Sequence, residues 1–280
     1  MFQSGRKILK DKLDMNLKPL GNTSVMVPEI GLGTWNYNGG VEPLRKGIEL
    51  GATLIDTAEG YYTEDVVGKA IKGIRNRVFV ATKVSGRHLG YDDVLRASEG
   101  SLRLLGTDYI DLYQIHWPNS RFPIKETVRA MEKLADSGVV KYIGVSNFLT
   151  DELKEAQSFL RNYPIVSNQV LYNLNNREIE RDLLPYCEKH QITIIAYTPL
   201  DNGKLTKKPR LIISRSLKVL EQIANEVEKT MGQVALNWST SRPNVIAIPK
   251  SNSVARTIEN CDASGWRLSQ DHIRLLDEAF

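Results

Sequence analysis

A chain of 280 residues is long enough for one large α/β domain or two small ones, and its 41% hydrophobic and 25% charged residues exclude a disordered or collagen-like polymer. The net charge of +4 is small for this length, with lysines and arginines interspersed among acids, which argues against a nucleic-acid surface. No apolar run reaches membrane length, and Cys187 and Cys261 fall in helical patterns without metal-ligand spacing, which excludes a disulfide framework and points to a reduced, cytoplasmic protein with two inert thiols.

Residues 1–14 are too charged for the apolar segment of a signal peptide and are read as an extension outside the fold. In "LKPLGNTSVMVPEIGLGTW", Gly21-Asn22 and Pro28 punctuate short apolar runs, the pattern of a small hairpin. Eight β-rich runs then organise the chain: "EIGLGT", "TLIDT", "VFVATKV", "YIDLYQIH", "VKYIGVS", "IVSNQV", "TIIAYTP" and "VIAIPK". Between them lie helical spacings. In "PIKETVRAMEKLADSG", for example, Ile124, Val128, Met131 and Leu134 share one face and Gly138 follows as a stop. Continuous apolar strands, each followed by a helix, predict a parallel sheet covered by helices. Eight such units predict a closed (β/α)8 barrel with an N-terminal β-hairpin, residues 15–280 forming one catalytic domain. A doubly wound sheet is the competing architecture, but "GLGTWNYNGG" lacks the G-x-G-x-x-G turn that announces it. After the seventh strand, Lys204, Lys207, Lys208 and Arg210 make the longest loop either a solvated basic segment or a flap over an anionic ligand.

A barrel of this kind builds its site from polar residues at the C-terminal ends of its strands. Asp56 ends the second strand with Tyr61 in the loop beyond it, Lys83 ends the third and His116 ends the fourth. Each has a plain structural alternative: a cap, a pair with any nearby acid, a half-buried loop aromatic, a satisfied core imidazole. Together they make a coherent acid. A phenol of ordinary pKa near ~10 is a poor donor at neutral pH, and an adjacent ammonium, itself held by a carboxylate, is expected to lower that value. A neutral His116 can orient a carbonyl oxygen towards Tyr61, general-acid assistance typically worth about 10²–10⁴ in rate. No side chain supplies a hydride, so a cofactor is implied. His88, His116, His190 and His272 lie in separate segments without ligand spacing, and no metal is expected.

Through "IDTAEGY", "VATKV", "LYQIHWP", "IGVSNF", "SNQV", "AYTPL" and "AIPKSNSVARTIEN", in that order from about Lys18 onward, the sequence resembles the aldo-keto reductase family. The resemblance implies NADPH-dependent reduction of aldehydes and ketones to alcohols, with Asp56, Tyr61, Lys83 and His116 as the catalytic tetrad and Tyr61 as proton donor. It assigns Ser146, Asn147 and Gln169 to the nicotinamide carboxamide and Tyr197 to stacking on the ring. Thr198 and Leu200 match the stretch that passes the pyrophosphate, and Thr34 and Trp35 join the cofactor set. Around the last strand, Lys250, Ser251 and Arg256 suit a 2′-phosphate, while Glu259 and Asn260 match adenine contacts, so NADPH is expected over NADH. The plain alternatives make Ser146 and Asn147 a helix cap, Tyr197 a core aromatic and Arg256 a solvated helix residue.

The sequence also departs from the family. Tyr62 stands where a glycine usually follows the catalytic tyrosine and is expected to line the substrate pocket with Trp35 and Trp117. "VLYNLNNR" after Gln169 lacks the histidine-proline pair of mammalian members and looks closer to microbial branches. The helix-like "SQDHIRLLDEAF" ends at Phe280 with no further loop, from which an open, permissive pocket is expected. Two rival readings remain: a Schiff-base aldolase using Lys83, and an NADPH-binding sensor or regulatory subunit with little turnover. The physiological substrate is not legible, and the oligomeric state is left open, a monomer being compatible.

Overall fold

A computed structural model describes residues 15–207 and 214–280. The 1–14 extension, and Lys208 and Arg210 of the basic loop, lie outside the described residues.

The expected hairpin pairs β1 (Leu17–Pro19) with β2 (Met26–Pro28), antiparallel, Leu17 opposite Pro28. Its turn needs a glycine at Gly21, where φ is +56° and an added Cβ would lie 2.7 Å from the Val166 carbonyl oxygen.

Eight strands then pair in chain order, all parallel: β3 (Leu32–Gly33), β4 (Leu54–Asp56), β5 (Phe79–Val84), β6 (Ile110–Ile115), β7 (Val140–Ser146), β8 (Ile165–Leu171), β9 (Thr193–Tyr197) and β10 (Val245–Ala247). The sheet closes on itself just before β3. There Ile30 bridges Ala247 in parallel, Gly31 N donates to Ala247 O at 2.8 Å, and Ala247 N donates to Glu29 O at 2.9 Å. The connections carry α1 (Glu42–Glu49), α2 (Glu64–Ile71), α3 (Tyr91–Leu105), α4 (Ile124–Asp136), α5 (Thr150–Phe159) and α6 (Leu183–Lys189). Two helices, α7 (Arg215–Glu226) and α8 (Met231–Thr240), separate β9 from β10, and α9 (Val254–Cys261) and α10 (Gln270–Ala279) follow it. The sequence expectation of a (β/α)8 barrel with an N-terminal hairpin is what the chain forms.

Two cores explain why the site lies at one end. Outward-facing strand residues such as Ile55, Val80 and Tyr113 pack against the helices. Inward-facing Leu54, Ala81, Leu112, Ile195 and Ile246 fill the barrel, and Leu20 and Val27 of the hairpin region join them. Lys18 fastens the hairpin, its Nζ donating to the carbonyls of Thr240, Arg242 and Val245. Side chains alternate along a strand, so Asp56 two residues after Leu54, Lys83 two after Ala81 and Gln114 two after Leu112 re-enter the barrel one layer higher. Burial of these polar groups has a desolvation cost, which their mutual hydrogen bonds offset. Cys187 and Cys261 are unpaired and buried in α6 and α9, and burial pushes both thiols up to about 12.

Candidate active site

Lys83 is completely buried beneath the mouth of the barrel. Its ammonium donates to Asp56 Oδ1 at 2.7 Å and to the Thr57 carbonyl at 2.9 Å, and lies 3.4 Å from Tyr61 OH. Burial alone would pull the Lys83 pKa down, but the Asp56 charge, then Tyr61, more than offset it, and the value rises. The ammonium therefore stays charged and is no free amine nucleophile. The second Asp56 oxygen accepts from Gln169 Nε2 at 2.7 Å and from Gln114 Nε2 at 3.5 Å, so the carboxylate is tied on both sides. Asp56 does not cap α2, whose N-cap is Thr63.

Tyr61 ends a one-turn 3₁₀ segment, Glu59–Tyr61, and meets His116 edge to face, ring centroids 5.3 Å apart. Burial, with Lys83 as second influence, lowers the His116 pKa to about 4, so the imidazole is neutral at ordinary pH. For Tyr61 the sequence expectation reverses. Burial raises its pKa above 10, outweighing the pull of Lys83, and the charge of Asp56 pushes the same way. The expected downward shift counted the ammonium but not the loss of water around the phenol. Tyr61 is consequently a protonated donor throughout the neutral range.

Asp56, Tyr61 and His116 open onto a cavity of about 840 Å³, within the range of small-molecule and cofactor sites. Trp35 and Trp117 stand at its rim, each about half exposed. Ser146, Asn147, Gln169 and Tyr197 line its inner part, yet they are already bonded to one another. Ser146 Oγ donates to the Gln169 carbonyl at 2.9 Å, and Asn147 Nδ2 donates to Ser146 Oγ and to the His116 carbonyl, each at 3.0 Å. Asn147 Oδ1 accepts from Tyr197 OH at 3.0 Å. Ser146 and Asn147 do not cap α5, whose N-cap is Leu149. Thr34 is buried in the wall, its hydroxyl on the Asp56 carbonyl at 2.9 Å and facing Thr63.

Further along the cavity come Thr198 and Leu200, then Lys250, Arg256, Glu259 and Asn260. Thr198 has φ +51°, a strained value for a β-branched residue, of the kind that clusters at ligand clamps. The Lys250 ammonium and Arg256 guanidinium have no acidic partner among the described residues, and α9 points its positive end here, capped by Ser253. Free cations at a helix start fit a phosphate, and a cavity of about 840 Å³ lined from Tyr61 through Tyr197 to Arg256 and Asn260 has room for a dinucleotide.

Two expected residues stand outside the wall of the large cavity. Tyr62 is 90% exposed and lies on a shallower adjoining groove, because its left-handed backbone (φ +56°) turns the ring outward. The same dihedral explains the glycine usual in the family at this position. Ser251 is not in the cavity wall; its hydroxyl closes a local turn with Ser253. Sequence reasoning missed Gln114, although its parity with Leu112 and His116 along β6 was a usable signal. It also missed Asn202, Gly203 and Thr206, which join Lys207 at the cavity, while Lys204 pairs with Asp201 instead. Glu59 was likewise missed. It accepts from Ser85 N at 2.8 Å and contacts His88 Nδ1 at 2.6 Å, bracing the Tyr61 turn against the loop after β5, and no local pattern announces such partners.

A family model described as the aldo/keto reductase family matches residues 29–280. The chain belongs to the aldo/keto reductase family. Its relatives within that family include the methylglyoxal reductase YeaE of Escherichia coli (strain K12), 40% identical and aligned over 91% of this chain and 92% of its own length. The glyoxal reductase of Bacillus subtilis (strain 168) is 37% identical over 91% of this chain and 90% of its own. Among solved structures, an aldo-keto reductase from Klebsiella pneumoniae in complex with NADPH superposes with a TM-score of 0.86 at 37% identity, covering 94% of both chains. These relatives are bacterial, as the "VLYNLNNR" stretch led one to expect. Family membership makes this chain an NADP-dependent oxidoreductase that acts on carbonyl compounds.

Proposed function

We propose that the chain reduces a small aldehyde or ketone to the alcohol with Tyr61 as the proton donor, Lys83 and Asp56 as its electrostatic support and His116 as the group that orients the carbonyl. Tyr61 OH hydrogen-bonds the carbonyl oxygen and gives up its proton as negative charge develops there. Neutral His116 donates a second hydrogen bond to the same oxygen. Lys83 stabilises the phenolate left behind, and Asp56 keeps Lys83 charged and fixed. Bound NADPH supplies the hydride. Tyr197 would face the nicotinamide ring, Gln169, Ser146 and Asn147 would hold its carboxamide after exchanging present partners, and Lys250 and Arg256 would take the 2′-phosphate. The carbonyl carbon would gain a hydride, two electrons with one hydrogen nucleus, and the oxygen one proton from Tyr61, leaving the oxidised cofactor and an alcohol, which balances the reaction.

The observation that carries this assignment is the Tyr61 hydroxyl beside a buried, carboxylate-locked ammonium at the wall of a cavity of about 840 Å³. The retained charge on Lys83 weighs against a Schiff-base aldolase, and the assembled donor weighs against a sensor without turnover. Among the described residues no helix is long and apolar enough to cross a membrane, in keeping with a cytoplasmic site of action. Residues 15–280 are proposed as the catalytic domain, since the tetrad and the cavity residues around it all fall within that span.

The test pairs a tryptophan-fluorescence titration with NADPH and NADH against methylglyoxal reduction by wild type and Tyr61→Phe. NADPH binding by both proteins, with kcat about 10²–10⁴ lower in Tyr61→Phe, is expected. Equal turnover by the two proteins would remove Tyr61 from the donor role.

A further inference from the structure

The groove beside the large cavity, about 490 Å³, shares Gly60, His116 and Trp117 with it and so opens on the same reacting position. One wall is the loop after β5, Ser85 to Arg87, and the other is the segment Trp117 to Asn119. The walls are joined, Asn119 Nδ2 donating to the Gly86 carbonyl at 2.7 Å, while Asn119 Oδ1 accepts from Arg121 N at 3.1 Å. Tyr62, turned outward by its left-handed backbone, closes the outer edge.

Among the described residues lining this groove, Arg87 is the one permanent charge, since His116 is neutral above about pH 4 and no carboxylate is present. The Arg87 guanidinium has no hydrogen-bond or ion-pair partner among the described residues. Its neighbour His88 differs, being committed to Glu59. A free guanidinium presents a planar fork of donors matched to carboxylate or phosphate.

Resting on the reductase assignment above, we infer that this groove is the subsite for the far end of the substrate and that it selects carbonyl compounds bearing an anionic group. With the carbonyl at Tyr61 and His116 and the long cavity reserved for the dinucleotide, the rest of the substrate extends past Trp117 towards Arg87. The enzyme then favours ω-carboxylated or phosphorylated aldehydes over neutral aldehydes of equal length.

Succinic semialdehyde and butanal are the comparison substrates, reduced with NADPH by wild type, Arg87→Ala and Arg87→Lys. Wild type is expected to favour succinic semialdehyde in kcat/KM. Arg87→Ala is expected to lower that value about tenfold, chiefly through KM, and to leave butanal unchanged. Arg87→Lys should retain part of the preference, and added salt should erode it in wild type but not in Arg87→Ala. A readout free of turnover is quenching of tryptophan fluorescence by 4-hydroxybutyrate, which should weaken in Arg87→Ala. Equal kcat/KM for both aldehydes in wild type, or 4-hydroxybutyrate binding unchanged by Arg87→Ala, overturns the subsite and leaves the reductase standing. Turnover of neither aldehyde overturns both.

Discussion

Replacing Asp56 by Asn removes the counter-charge of an ammonium with 0% side-chain exposure, itself paired with a carboxylate of only 2% exposure. Breaking a buried pair from one side typically costs about 3–5 kcal/mol, because the remaining charge is left in low dielectric. Here the lower end is expected, since Lys83 keeps acceptors in the Thr57 carbonyl at 2.9 Å and Tyr61 OH at 3.4 Å. At roughly 2–4 °C per kcal/mol for large domains, Asp56→Asn should melt about 6–12 °C below wild type. Adding Lys83→Met removes the stranded charge, so the double variant should be more stable than Asp56→Asn, with a coupling of about 2 kcal/mol or more in the cycle. Equilibrium urea unfolding of the four proteins measures this directly. A loss below about 1 kcal/mol in Asp56→Asn, with additive single changes, would refute the picture of a dry, mutually dependent pair.

Other consequences are independent. For His116 the folded pKa of about 4 lies below its ordinary 6.5, so as pH falls through that window the unfolded chain takes up the proton first and stability is lost. The urea midpoint of wild type relative to His116→Asn should therefore fall as pH drops from 6.5 to 4 and stay constant above 6.5. Replacing Arg256 by Ala removes a cation that has no acidic partner among the described residues at the start of α9, and NADPH affinity should fall about tenfold with NADH affinity unchanged, by fluorescence titration. Tyr62→Gly relieves a left-handed backbone at a side chain making little contact, and should raise unfolding free energy by about 0.5–1 kcal/mol in urea.

The barrel was legible because each strand is a short continuous apolar run and each connection carries a helical period, signals that survive without tertiary information. The clustering of Asp56, Tyr61, Lys83 and His116 was legible for the same reason. Asp56, Lys83 and His116 interrupt apolar runs at their C-terminal ends, where a barrel collects its chemistry. What failed required more than one element at once. The upward shift at Tyr61 depends on how much water the surrounding loops exclude. The outward turn of Tyr62 depends on a backbone dihedral that the residue name argues against, since tyrosine rarely takes φ above zero. Ser251 sat next to true cavity residues in the chain, but its hydroxyl was taken by a turn with Ser253.

The polar residues of β7 and β8 show why finding a residue and finding its role are different problems. Ser146, Asn147 and Gln169 were expected as free donors and acceptors for a carboxamide, and all three do line the cavity. Their hydrogen bonds nevertheless form a chain from Asp56 through Gln169 and Ser146 to Asn147, and onward to Tyr197 and the His116 carbonyl. A carboxamide entering this chain must replace internal bonds at Ser146 and Asn147, where the net gain per bond is the small difference between two satisfied states, while the Gln169 Oε1 has no hydrogen bond among the described residues and is left to accept a new one. The groups that steady Asp56 and Lys83 are thus the same groups that would steady the nicotinamide. Shortening Gln169 would be felt at Asp56 and Lys83 as well as at the cofactor, so a change on β8 should disturb both halves of the reaction together.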